Sequence, residues 1–204
     1  MRLFGEQGYA ATTIAQIEQA AGLSPGAGGL YSHFRSKREV LAAGLEWLLA
    51  PATDPAPGRA TAPSPDAPPA EPVDIPSEAD PATPLDRQLA EIARAGLDRL
   101  RHDRDYNRVL VRDLRSVPDL LELSADREIR PVHERLAAFL ARPALGLAPG
   151  VDARALAAVL IGATSHLWLM TDIFGRHPAG VTEDAYLGVL TQLAVALFES
   201  KETS

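Results

Sequence analysis

Side chains able to do covalent chemistry are sparse in this sequence. It has no cysteine, which removes thiolate nucleophiles, thiolate metal sites and disulfides. Neither His-Glu-x-x-His nor the Glu-x-x-His pair of di-iron helix bundles occurs. His133 and Glu134 are adjacent and cannot share a helix face. No glycine-rich phosphate loop follows a strand, because no segment reads convincingly as a strand. What the chain does carry, between residues 12 and 41, is a set of hydrogen-bonding side chains: Thr13, Ser24, Tyr31, Ser32, His33 and Lys37, interleaved with Pro25, Gly26 and Ala27. Such groups, with no converging acid–base pair, hold a ligand rather than transform it. The reading is a binding protein and not an enzyme, with no cofactor and no metal.

The elements that must position these groups are helices. Thr13 and Gln16 stand three apart ahead of Ile14 and Ile17, the spacing of a capping box. Ser24 precedes Pro25, so a hydroxyl can cap while proline takes the first helical position. Ser36 and Glu39 repeat the capping box. Between the first two starts lies Ala21-Gly22-Leu23, whose glycine can take the left-handed conformation that ends a helix. Two short helices joined by a tight glycine turn make a helix-turn-helix, whose second helix can enter a DNA major groove.

Several landmarks extend this pattern: Phe4-Gly5-Glu6-Gln7-Gly8-Tyr9, Thr12-Thr13-Ile14, Ala20-Ala21-Gly22-Leu23-Ser24, and Leu30-Tyr31-Ser32-His33-Phe34 followed by Ser36-Lys37. In this order they resemble the N-terminal domain of the TetR family of bacterial repressors, over roughly the first fifty residues. The resemblance implies an all-helical homodimer with a small DNA-binding domain and a larger ligand-binding domain. It also implies that Thr13, Tyr31, His33 and Lys37 position DNA phosphates, while Ser24, Pro25, Gly26, Ala27 and Ser32 lie where base edges or thymine methyls are met. Two departures stand out. Residues 1–7 read as the end of a first helix, stopped by Gly8, so that helix is expected to be truncated. Gly28-Gly29 are interposed before Leu30, which predicts a looser, longer entry into the recognition helix.

Composition divides the chain further. The formal net charge is −7, yet residues 1–50 carry four basic and four acidic side chains, residues 51–84 one and six, and residues 85–204 fifteen and seventeen. The proposed DNA-binding part is neutral, and neutrality gives it only weak electrostatic support. Residues 51–84 hold eleven of the 17 prolines, with Val73 and Ile75 as their only bulky apolar residues. Such a segment buries too little surface to offset its ordering entropy and reads as a disordered linker. The start of the chain lacks a basic stretch followed by an apolar one, so no signal peptide is expected. With the missing cysteines, this suits the cytoplasm.

Helical periodicity returns at Thr83-Pro84 and persists, with Leu85, Leu89, Ile92 and Leu100 on one face. Later helices are expected over 106–114, 119–123, from Ser124 or Asp126 to about 141, from 152 to about 174, and from 182 to about 199. No formally charged residue occurs between Arg154 and Asp172. That run is short for a membrane span and contains Thr164, Ser165 and His166. An interface suits it better: two helices per subunit forming a four-helix bundle across a two-fold axis, through Leu160, Ala163, Leu167, Leu190, Leu193 and Leu197. A ligand pocket is expected between residues 85 and 174, with Tyr106, Arg112, His133, His166, Trp168 and Met170 as candidate liners.

The expected fold is therefore all-α, with about nine helices. A three-helix helix-turn-helix domain (1–50) precedes the linker (51–84) and a helical ligand-binding and dimerisation domain (85–204). The expected function is a ligand-responsive transcriptional regulator, a repressor binding a palindromic double-stranded DNA operator as a homodimer and released by a small-molecule inducer. The rival is a dimeric helical relative whose altered head no longer binds DNA.

Overall fold

The computed structural model describes residues 1–50, 73, 75, 76 and 80–198. Apart from Val73, Ile75, Pro76 and residues 80–84, the expected linker lies outside the described residues. In chain order the helices are α1 (Arg2–Gln7), α2 (Ile14–Ala20), α3 (Lys37–Leu48), α4 (Leu85–His102), α5 (Arg104–Arg112), α6 (Pro118–Ser124), α7 (Arg130–Leu140), α8 (Ala153–Phe174) and α9 (Glu183–Val195). The protein is all-α: among the described residues no strand forms, and a single bridge pairs Leu147 with Phe198.

Several helix starts follow directly from side-chain chemistry. The Thr13 hydroxyl accepts from Gln16 N, and the Gln16 side chain accepts from Thr13 N in return, the reciprocal pairing of a capping box. Ser36, Asp152 and Thr182 cap α3, α8 and α9 by accepting from first-turn amides, without the reciprocal bond. Glu39 departs slightly from its expected role, because its carboxylate accepts from Arg35 N rather than from Ser36 N. Pro131 is the second residue of α7 and follows a π-helical turn over Ala125–Ile129. A proline ring clashes with the carbonyl four residues back, and the wider turn relieves that clash.

The chain forms two compact units, and their division differs from the sequence expectation. The first comprises the N-terminal segment and Asp103–Ile129; the second comprises Glu71–His102 and the chain from Arg130 onward. Helices α5 and α6, expected with the ligand-binding domain, therefore cluster with the N-terminal helices. Their apolar faces account for this: Tyr106 and Val109 of α5 and Leu120 of α6 share a core with Phe4 of α1 and Leu41 and Leu45 of α3. α1 meets α5 at very close range, because a Cβ built on Gly5 would lie 2.6 Å from Asp105 Cα. Only glycine fits at that crossing. An ion pair between Arg38 and Asp119 joins α3 to α6.

In the second unit, α8 packs against α4, α7 and α9. Leu89 and Ile92 of α4, Phe139 and Leu140 of α7, and Leu156 and Ala157 of α8 form one apolar cluster. Leu97 of α4, Leu167 and Trp168 of α8 and Leu187 of α9 form another. Arg94 and Arg101 on α4 pair with Asp184 and Glu183 in the first turn of α9, fixing how those two helices lie together. By length and composition α8 is apolar enough to cross a membrane. It buries Leu156, Ala157, Leu167 and Trp168 against neighbouring helices.

Candidate nucleic-acid interface

The site is built on α2 and the turn that ends it. Gly22 takes a left-handed φ of 73°. Its N–H reaches the Gln19 carbonyl at 3.1 Å, and Leu23 N reaches the Glu18 carbonyl at 2.8 Å. These are the paired bonds of a Schellman ending, as expected at this glycine.

The next element differs from expectation. No helix begins at Pro25. Ala27 N bonds to the Ser24 carbonyl at 3.2 Å, and Gly26, the third residue of that turn, has φ 76°. Proline second and a left-handed glycine third suit a tight turn rather than a helix start. Gly28 repeats the left-handed conformation with φ 74°, which no helix interior accepts. The recognition helix is thereby reduced to a single 3₁₀ turn over Leu30–Ser32. The Gly28-Gly29 insertion replaces most of that helix with a loop, a larger effect than a loosened entry.

Glu18, not among the expected contact residues, holds this loop. Its side chain is fully buried. Oε2 accepts from Gly26 N at 2.6 Å and Oε1 from Leu30 N at 3.2 Å. A buried carboxylate needs such donors to offset its desolvation. The signal was available in the spacing: Glu18 follows Ile14 by four residues, on the stripe that also carries Ile17 and Ala21. An acid on the core face of a short helix implies nearby donors.

The expected contact residues fall into two groups. Thr13, Ser24, Pro25, Gly26, Ala27, Tyr31, Ser32 and His33 are all exposed, with Tyr31 at 57%. Leu30 is buried, and so anchors the turn that carries Tyr31, Ser32 and His33. The Ser32 hydroxyl donates to the Gly29 carbonyl at 2.7 Å. Lys37 is in a different situation. Its ammonium donates to the carbonyls of Tyr9, Ala10 and Thr12 at 2.6, 3.2 and 2.8 Å and lies 4.6 Å from the Tyr9 ring centroid. All three of its protons are engaged in tying the start of α3 to the segment before α2. A phosphate contact by Lys37 would require giving up one of these bonds.

Residues 1–43 match the family model described as bacterial regulatory proteins, tetR family. These residues therefore form a domain of the TetR N-terminal type. No curated protein and no solved structure matches the chain. A domain of this type supports a transcriptional regulator that binds DNA, and Thr13, the Ser24–Ala27 turn and Tyr31–His33 are exposed on it.

The six candidate ligand residues divide between the two units. Tyr106 and Arg112 belong to the first unit: Tyr106 is buried in its core, and Arg112 donates to the Phe4 carbonyl at the end of α1. His133, His166, Trp168 and Met170 belong to the second unit. There, Trp168 is a core residue beside Leu97 and Leu187, and the exposed His166 meets the His177 ring edge-on at 5.8 Å. An open cleft in the second unit, lined by Leu85, Asp86, Gln192, Val195 and Ala196, includes none of the six.

The six candidate interface residues also divide. Leu193 is 65% exposed and Leu197 36%. Leu167, by contrast, is 3% exposed, and Leu160 and Leu190 pack against their own subunit's clusters; Ala163 is half-buried. The most exposed large apolar residues on the two helices are Val159, Ile173 and Phe174 of α8, at 62%, 58% and 60%, and Val189 and Leu193 of α9, at 57% and 65%.

Proposed function

We propose that this TetR family protein is a cytoplasmic, ligand-responsive repressor that binds a palindromic operator as a homodimer. The observation that carries the reading is the exposed Tyr31–His33 turn, anchored by buried Leu30 beside the capped start of α2, in a domain that matches the family. Thr13, Tyr31 and His33 are the side chains proposed for the DNA backbone. Ser24, Pro25, Ala27 and Ser32 are proposed for base edges, with Gly26 allowing close approach. Lys37 serves that face by holding α3 against the segment that leads into α2.

Dimerisation is supported by Val159 on α8 and Val189 and Leu193 on α9, apolar side chains left uncovered on two long helices. Covering such a stripe with its own copy generates two-fold symmetry. Two heads spaced about one DNA turn apart, ~34–36 Å, then read a palindrome. An inducer acts by preferring a subunit state whose heads are wrongly spaced, lowering operator affinity by its differential affinity for the two states. Its pocket is proposed within the second unit.

A second reading, a dimer whose head has lost DNA binding, is favoured by one observation: the recognition element is a three-residue turn. Salt separates the two. Mobility-shift measurements on the flanking intergenic DNA should give affinity that falls steeply as salt rises, because phosphate contacts release counterions. Absence of salt-dependent binding to any duplex would favour the second reading.

A further inference from the structure

We propose that Glu18 is the positioning residue of the DNA-reading loop, taking over the role that a regular recognition helix would play. This rests on the DNA-binding reading above. Residues 21–29 form no helix, so helical hydrogen bonds do not fix the segment that presents Ser24, Pro25 and Ala27. Glu18 fixes it from both its main chain and its side chain. The carbonyl takes Leu23 N at 2.8 Å, and the carboxylate takes Gly26 N and Leu30 N. One residue thus pins the loop at its entry, its middle and its exit.

The placement has a directional consequence. With the Gly26 and Leu30 amides turned inward to the carboxylate, they are not available to a DNA phosphate. The loop meets the duplex through what remains outside: the Ser24 hydroxyl, the Pro25 ring and the Ala27 methyl, all exposed. From Ser24 to Gly29 only Ser24 carries a polar side chain. Small apolar groups meet thymine methyls, and a hydroxyl can meet any base edge. Such weak contacts discriminate only when their geometry is fixed. Glu18 therefore governs the ratio of specific to non-specific affinity more than affinity itself, which phosphate contacts supply.

The test uses the full chain and two duplex probes: one selected by the wild type from a randomised pool, the other of mixed sequence. Glu18→Gln retains one acceptor oxygen but turns an amide group toward a backbone N–H. Its affinity for the selected duplex should fall at least tenfold, with mixed-sequence affinity within twofold and the salt slope unchanged. An equal loss on both probes, or none, overturns the proposal. Amide hydrogen exchange on the wild type tests the anchor without any variant. Gly26 and Leu30 should be protected while Gly28, between them, exchanges freely; fast exchange at Gly26 and Leu30 overturns it. A wild type that selects no sequence defeats the DNA reading itself, whereas wild-type selection with an unaffected Glu18→Gln defeats only the role of Glu18.

Discussion

Arg112 Nη2 donates to the Phe4 carbonyl at 2.7 Å and to the Gly5 carbonyl at 3.2 Å, closing the C-terminal end of α1 from a helix 108 residues downstream of Phe4. A helix of six residues has little stability of its own, and a cation at its carbonyl end is favoured by the macrodipole. Arg112→Ala should lower the stability of the first unit by about 1–2 kcal/mol, the scale of a partly exposed charged hydrogen bond. Arg112→Lys, which keeps the charge but loses the planar fork, should recover only part. Thermal unfolding of the three proteins checks the order. Equal midpoints would show that the contact contributes nothing.

Lys37 yields a different kind of prediction. With its ammonium on three carbonyls, Lys37→Ala should destabilise the head while leaving the salt slope of DNA binding unchanged. A lysine on a phosphate would instead reduce that slope by about 1 when removed. Binding isotherms across a salt series decide between the two roles.

Asp105 stands in the first turn of α5, facing Gly5. Burial pushes its carboxyl above the ordinary range, the Glu6 carboxylate adds to that, and the amino group of Met1 opposes it. A raised folded value means that its favourable contribution is complete below the unfolded pKa and lost as pH rises through the folded one. At neutral pH the ionised side chain is therefore a burden. Asp105→Asn should melt higher than wild type at pH 7, and the gap should close as pH falls below about 4, the ordinary carboxylate value. Melts at both pH values check the sign.

On α8 and α9 the structure separates interface from core. Leu193→Glu, on an uncovered face, should dissociate the proposed dimer and leave each subunit folded. Leu167→Ala, in the core, should cost about 2–5 kcal/mol of stability without selectively dissociating it. Sedimentation combined with thermal melts distinguishes the outcomes, and a Leu193→Glu protein that remains dimeric would remove this face from the interface.

Much of the helical framework was legible because its signals are local. Thr13, Ser36, Asp152 and Thr182 announce helix starts through hydroxyl or carboxylate chemistry that acts within three residues. The turn at Gly22 was readable for the same reason. Ser24-Pro25 carried an equally good start signal and misled, because proline before glycine also makes a tight turn, and the two left-handed glycines beyond it settled the matter. Partnering was harder to read. Periodicity says that Tyr106 and Val109 face inward but not that Phe4 and Leu41 are what they face. On α8, where most side chains are apolar, no pattern distinguishes the core residue Leu167 from the outward Val159. Glu18 escaped notice because acids on helices are ordinarily solvated.

The crossing at Gly5 has a mechanical corollary. With the Asp105 Cα and side chain lying directly on Gly5, α1 has little room to slide or roll over α5. A displacement of α5 therefore presses directly on α1. The segment from 103 to 129 acts as part of the head's own chassis, and whatever shifts it shifts the platform on which Thr13 and Tyr31 stand.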